Sequence, residues 1–215
     1  DRDFIRAWSN GPLLVRADPG RLLTARDLTA DGGERQYVAW DEALARQWRE
    51  RLGDTGFKIG IFWQGNPRAM VDRGRSIPLI NFQALAAIPG IRLIALQKKH
   101  GLEQLKTIPP EMKIELPGPF DEGKDAFADT AAIMRCLDLI VGSDTAAAHL
   151  AGALGVPAWV GVKQVPDWRW GLDGSECPWY PEMRLFRQPA AGDWRSVFEA
   201  MAHENIREPA HSIHK

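Results

Sequence analysis

Residues 141–162 read VGSDTAAAHLAGALGVPAWVGV. An apolar run ends in Ser143, Asp144 and Thr145. A block of small residues follows around His149, and Leu154-Gly155-Val156-Pro157 leads into a second apolar run. Two nearly continuous apolar strands joined by a short helix describe parallel strands buried on both faces. Such crossovers are right-handed, and repeating the unit builds a doubly wound, Rossmann-like sheet with helices on both faces. The joining helix is unusual, because Ala146, Ala147, Ala148, Ala151, Gly152 and Ala153 bury little volume. Small side chains let a ligand or a neighbouring strand come close to the backbone.

The alternation extends outward from this unit. Upstream we expect a strand over 57–63, a loop over 64–76, a helix over 77–90 ended by Pro89-Gly90, a strand over 91–97 and a short strand over 112–118. A helix over 124–138 places Phe127, Ala131, Met134 and Leu137 on one face, and strands over 137–143 and 156–162 flank the 145–155 helix. Residues 40–53 read as a helix with Ala43, Leu44, Gln47, Trp48 and Leu52 as its stripe and Gly53 as its C-cap. After residue 162 comes a long polar-aromatic loop, then a last helix over 192–206. Residues 1–36 lack a sustained period and read as irregular, a remnant of a preceding domain; 37–215 read as one α/β domain. The chain opens at Asp1 without an initiator Met, so we expect a portion of something longer.

Composition narrows the function classes. The chain has 215 residues, 45% hydrophobic and 26% charged, enough for a real core. A net charge of −1 does not imply a nucleic-acid surface. Two cysteines, Cys136 and Cys177, make neither a disulfide scaffold nor a metal framework, and fit a reducing, cytoplasmic compartment. No apolar run approaches the ~18 residues of a membrane span. There is no Gly-x-Gly-x-x-Gly, Walker loop, metal-spaced His/Cys cluster or Gly-x-Ser-x-Gly elbow, so hydride transfer and nucleotide hydrolysis have no support.

Four stretches carry candidate chemistry. In open parallel sheets ligands bind beyond the carboxyl ends of the strands. Ser143 and Asp144 sit at such an end. Asp144 is placed to cap the following helix, and Thr145 with the N–H groups of Ala146 and Ala147 would face an anion at its positive end. Thr145 and His149 share one face, being four apart. The same residues also fit a purely structural role, with Asp144 a cap, the alanines packing under the sheet and His149 a satisfied core histidine. The second stretch, 63–78, follows a strand end and carries Arg68, Arg73 and Arg75 among Gly65 and Gly74. Guanidinium forks bind phosphate oxygens in pairs, though a solvated loop has this composition too. The third, 165–188, holds Trp168, Arg169, Trp170, Trp179 and Tyr180 in a loop too aromatic for disorder, with its tryptophans mainly structural. The fourth, Asp125 with Asp129 and Thr130, is accounted for by a helix start favouring carboxylates.

The motifs WQGNP…DRGRSIPL, FADTAA (127–132), LDLIVGSDTAAAHLAGALGVPAWV, PDWRW and SECPWYPEMRLFRQ…GDW occur in order from about 37 to 194. Together they resemble the carboxy-terminal part of bacterial TPR-repeat proteins with a glycosyltransferase domain similar to glycosyltransferase family 9, the heptosyltransferases, and more distantly to O-GlcNAc transferases. The resemblance implies one half of a GT-B fold, holding a nucleotide-diphosphate sugar as substrate. It implies an inverting transfer without bound metal or other cofactor. An Asp-Thr-Gly-x-x-His-like segment at a helix start contacts the donor diphosphate in that family. Here it is Asp144, Thr145, Ala146, Ala147, Ala148 and His149, with Ala146 in place of the glycine. The expected diphosphate site is Ser143, Asp144, Thr145, Ala146, Ala147 and His149 with Arg73 and Arg75. Trp63, Gln64, Gly65, Gln97, Asp129 and Trp168 are expected around the nucleoside and sugar. The acceptor, a saccharide or a protein, and its general base would belong with a preceding domain. A catalytically inactive nucleotide-sugar-binding or scaffolding domain is the rival reading, and a sugar-nucleotide epimerase a lesser one.

Overall fold

The computed structural model describes residues 38, 40–123 and 127–207, together with the backbone of 15–18 and 21–23. Asp125 and most of 1–37 therefore lie outside the described residues. Within the segment expected to be irregular, β1 (Val15–Asp18) and β2 (Arg21–Leu23) form an antiparallel hairpin, a correction to that reading.

Past residue 40 comes α1 (Glu42–Leu52). The Asp41 carboxylate accepts from the N–H groups of Ala43 and Leu44 at 2.8 and 3.0 Å, and Gly53 ends the helix at φ 70°, as expected. The buried stripe is Ala45, Trp48 and Leu52, with Leu44 packed against it. Ala43 and Gln47, expected inside, face out. Trp48 and Leu52 are common to both sets, and Ala45 replaces Ala43 and Gln47 on the buried side.

Six parallel strands follow: β3 (Phe57–Phe62), β4 (Ile91–Ala95), β5 (Ile114–Glu115), β6 (Leu139–Ser143), β7 (Ala158–Val162) and β8 (Met183–Arg187). Their spatial order is β5-β4-β3-β6-β7-β8. Counted from β3 this is 3-2-1-4-5-6, the doubly wound order. The central strands β6 and β7 are buried at every position, as continuous apolar runs require. Close pairing of β3 with β6 needs Gly142, since a Cβ there would stand 2.4 Å from the Phe62 carbonyl oxygen.

Strand β8 corrects the reading of the whole 165–188 stretch as loop. Met183 and Leu185 point into one core and Phe186 into the other, which is strand alternation. Its arginines disguise it. Arg184 forms a two-bond pair with Glu204 at 2.7 Å, and Arg187 donates to loop carbonyls, including Gly174 O at 2.8 Å. An edge strand tolerates such charges.

The core lies on both faces of the sheet. On one face pack α1, α3 (Ala128–Met134) and α4 (Ala146–Ala153), and on the other a 3-10 turn (Leu79–Phe82), α2 (Gln83–Ala86) and α5 (Trp194–His203). The helix expected over 77–90 is only that 3-10 turn and one α-turn, because Pro78 precedes it and Pro89-Gly90 stops it. In α3 every residue from Thr130 to Met134 is buried, while Ala128 and Asp129 at its start are half-buried. Among the described residues no helix is long and apolar enough to cross a membrane. Cys136 and Cys177 are free thiols.

Candidate functional site

In this strand order the chain winds one way from β3 to β4 and the other way from β6 to β7. The crevice between the carboxyl ends of β3 and β6 is the point where doubly wound sheets bind ligands. The arginine loop leaves β3 there, and the Ser143–Ala146 turn leaves β6 there. The two candidate stretches, 80 residues apart in the chain, thus face one crevice. Lys163, just past β7, donates to the Arg73 carbonyl at 3.1 Å and ties the arginine loop to the next strand end.

The helix start is built differently from expectation. Thr145, not Asp144, is the N-cap residue; its backbone is still extended (φ −140°, ψ 174°) and its side chain caps nothing. Asp144 is one residue too early to reach the second- and third-position amides, which corrects its capping role. The first-turn amides of Ala146 and Ala147 therefore have no acceptor in the helix and no side-chain cap. Ala146 is exposed, and Thr145 and Ala147 are half-buried. Behind them Ser143 is fully buried, its hydroxyl without a hydrogen-bond partner among the described residues.

Asp144 turns inward instead, with Oδ1 3.8 Å from His149 Nε2 and both side chains nearly buried. Burial pushes the Asp144 carboxyl above its usual range; the Trp170 indole N–H and the charges of Arg75 and Arg169 pull the other way. His149 lies flat on Trp170, centroids 4.9 Å apart at 15°, and its Nδ1 is 3.3 Å from the Tyr180 hydroxyl. Burial, then the positive charge of Arg169, lowers its pKa to about 3, with Asp167 opposing. The imidazole is neutral at pH 7 and belongs to the support under the site.

This support explains the small residues of α4. A Cβ on Gly152 would stand 2.4 Å from the Tyr180 ring, so the ring rests directly on the helix backbone. At Gly152 the small residue makes room for a loop aromatic. Only the first turn of α4 stays open. Gly152→Ala should therefore lower stability by about 1–3 kcal/mol through overpacking, less the up to ~1 kcal/mol that alanine contributes within a helix. A thermal melt checks this, and an unchanged midpoint would mean Tyr180 is loosely held.

The arginine loop is organised by Asp72, which is nearly buried. It accepts from Arg75 Nε and Nη2 at 3.3 and 3.2 Å and from the Ser76 hydroxyl at 2.8 Å. A Cβ at Gly65 would stand 2.4 Å from Asp72 Oδ1 and 2.6 Å from Arg75 Nη2, so the pair lies against bare backbone. Arg75 is thereby held beside Asp72, and its charge is felt at both Asp144 and His149. Arg73 and Arg68 are exposed.

The residues expected around nucleoside and sugar are not gathered in one place. Trp63 is fully buried, its indole N–H donating to Gly101 O at 3.1 Å, so its ring is core and lines no pocket. Gln97 is committed to backbone: its carbonyl accepts from the Trp63 and Gln64 N–H groups at 2.9 and 3.0 Å, and its amide donates to Gln64 O and His100 O. Asp129 accepts from the Trp48 indole at 2.9 Å and the Asp121 N–H at 2.7 Å, a structural bracket between α1 and α3. Polar groups so engaged would have to break good bonds to meet a ligand. Gln64 is half-buried and accepts from Gln104 at 3.0 Å. Trp168 stands out into solvent beside Trp179. Sequence reasoning missed Asp72, and it singled out Arg169, Trp170 and Tyr180 in the 165–188 stretch without placing them in the expected site. The spacing Asp167-x-Arg169 within a 3-10 turn was the available signal. Among the described residues no group of three or more His, Cys, Asp or Glu is placed to hold a metal.

Comparison with known proteins places this geometry. Residues 81–161 match the family model for glycosyltransferase family 9 (heptosyltransferase). The match runs from the 3-10 turn before α2 through β7 and includes the helix start. Protein FlbA of Caulobacter vibrioides is 30% identical over 173 residues, 77% of this chain and 28% of FlbA. The Escherichia coli ADP-heptose LPS heptosyltransferase II is structurally similar at a TM-score of 0.55 and 16% identity, over 86% of this chain and 58% of that one. A glycosyl transferase family 9 structure from Veillonella parvula gives 0.52 and 17%, over 76% and 46%. The chain thus spans little more than half, or less, of the proteins it resembles. The fold class is the expected one: an α/β unit with six parallel strands between helices, resembling the heptosyltransferase fold.

Proposed function

We propose that this domain is the donor-binding half of an inverting, metal-independent glycosyltransferase, holding the diphosphate of a nucleotide sugar at the start of α4. The observation that carries this reading is the pair of uncapped amides, Ala146 and Ala147, at the carboxyl end of β6, with the charge of Arg75 felt at the neighbouring Asp144. As the glycosidic bond breaks, negative charge grows on the leaving diphosphate. Fixed N–H dipoles and a guanidinium already held by Asp72 stabilise that charge without reorganising. The family match over 81–161 and the heptosyltransferase-like fold support the same reading.

The test is a titration of the chain with ADP, GDP, UDP and their sugars, followed by tryptophan fluorescence, with Trp170 and Trp168 as nearby reporters. Saturable quenching that survives EDTA is the expected result. No response to any nucleotide would leave a scaffolding domain. Arg75→Ala should weaken the best-bound diphosphate by about 1–3 kcal/mol, the worth of a charged hydrogen bond. Unchanged affinity by calorimetry would remove Arg75 from the site.

A further inference from the structure

The loop between β7 and β8 is tied down at many points. The Arg187 guanidinium donates to the carbonyls of Trp170, Gly171, Asp173 and Gly174, the last at 2.8 Å. Asp167 caps a single 3-10 turn (Trp168–Trp170), and Trp170, 1% exposed, anchors that turn on His149. The Trp179 indole N–H donates to the Arg169 carbonyl at 2.8 Å. Ser175 O accepts from the Leu185 N–H at 2.7 Å, and Glu176 bridges antiparallel to Arg184. Residues 175–176 therefore lie along the outer edge of β8. So many bonds make the loop a fixed platform.

On this platform stand two exposed indoles. Trp168 is 77% exposed and Trp179 47%, and their rings meet edge to face, centroids 6.3 Å apart at 87°. Together they form an apolar corner held in place before any ligand arrives. Next to Trp179 in the chain, Asp173 to Pro178 line an open cavity of about 490 Å³. Its carbonyls at Asp173, Gly174 and Ser175 are already spent on Arg187 and Leu185. The side chains of Asp173, Ser175 and Glu176 are exposed, and among the described residues no hydrogen bond or salt bridge engages their oxygens.

Chemistry selects the occupant. Two carboxylates without a bound cation repel phosphates and other anions. Hydroxyl groups donate to carboxylates in charge-assisted hydrogen bonds. A ring with an apolar C–H face and hydroxyls around its rim satisfies both the indole corner and the carboxylates, and that is an uncharged pyranose.

We infer that Trp168, Trp179, Asp173, Ser175 and Glu176 form a binding site for a neutral saccharide at the outer edge of β8. This edge is two strands beyond β6, so the inference does not rest on the donor site at the start of α4. The site holds a glycan chain and makes no bond to it.

The experiment titrates the 215-residue chain by calorimetry with cellotriose, maltotriose and chitotriose, with anionic trigalacturonate, and with adenosine as a second flat ring. The indole N–H signals of Trp168 and Trp179 are followed by NMR. At least one neutral trisaccharide should bind with a Kd of about 1 mM or tighter and move both signals. Trigalacturonate and adenosine should bind about tenfold more weakly or not at all. Trp168→Ala should weaken the trisaccharide about tenfold or more, and Trp168→Phe, which keeps a flat apolar face, should fall between. Glu176→Gln should cost about threefold or more. Circular dichroism checks folding, and the glutamine variant serves if the alanine variant unfolds. Binding of no neutral saccharide, equal binding of trigalacturonate or adenosine, or binding indifferent to Trp168 and Glu176 would each overturn the site. Nucleotide binding without saccharide binding overturns this inference alone, and saccharide binding without nucleotide binding overturns only the donor site.

Discussion

Replacing Trp170 with alanine should cost about 3–5 kcal/mol of folding stability, the usual toll for deleting a large buried aromatic. Trp170 is 1% exposed and joins three parts of the molecule. Its ring lies on His149 in α4, and its carbonyl accepts from Arg187 of β8. The cavity would open beside the helix start and admit water to the imidazole. Two readouts follow. Urea unfolding should shift by the stated amount, and His149, no longer desolvated by the indole, should titrate nearer its ordinary range by NMR. A loss below about 1 kcal/mol would mean that the loop packs loosely and that the support under the site is not there.

Acidification should destabilise the fold through His149. Its folded pKa is lowered to about 3, from an unfolded 6.5. Above pH 6.5 both states hold a neutral ring and nothing changes. Between 6.5 and about 3 the unfolded chain takes up a proton that the folded chain refuses, so stability falls as pH falls. Linkage makes this about 2 kcal/mol by pH 5 and about 4–5 kcal/mol by pH 3. Asp144 works in the opposite sense: its raised pKa lets the folded state bind a proton more readily in acid. The measurement is therefore a comparison. Wild type and His149→Gln are unfolded by urea at pH 7.5 and pH 5, and the glutamine variant should lose about 2 kcal/mol less across that interval. Parallel losses would show that the imidazole protonates freely in the folded protein.

Much of the architecture is legible in the chain because parallel strands buried on both faces must be apolar throughout. Ile59–Phe62, Leu93–Ala95, Leu139–Ser143 and Ala158–Val162 advertise themselves in this way. Elements without that signature are misread. Strand β8 carries Arg184 and Arg187, whose partners Glu204 and the Gly174 carbonyl come from other segments. The 77–90 helix shrinks because apolar spacing alone does not weigh prolines at both ends against propensity. Candidate site residues divide along the same line. The arginine loop and the Ser143–His149 segment can be picked out because each follows a strand end, and strand ends are where doubly wound sheets bind. Gln97 and Asp129 have the right residue types, but their hydrogen bonds are spent on Trp63, Gln64, Trp48 and Asp121.

By itself the sequence determined the layer order, the doubly wound class and the edge of the sheet where chemistry can gather, since hydrophobic period and turn residues are local properties of the chain. Tertiary structure alone decided that Asp144 turns inward, that His149 is sealed beneath Trp170 and that Arg75 is held by Asp72 against the bare backbone of Gly65. Those outcomes depend on burial and on charges brought together from distant segments, and no local pattern encodes the distance between two loops before the sheet between them has formed.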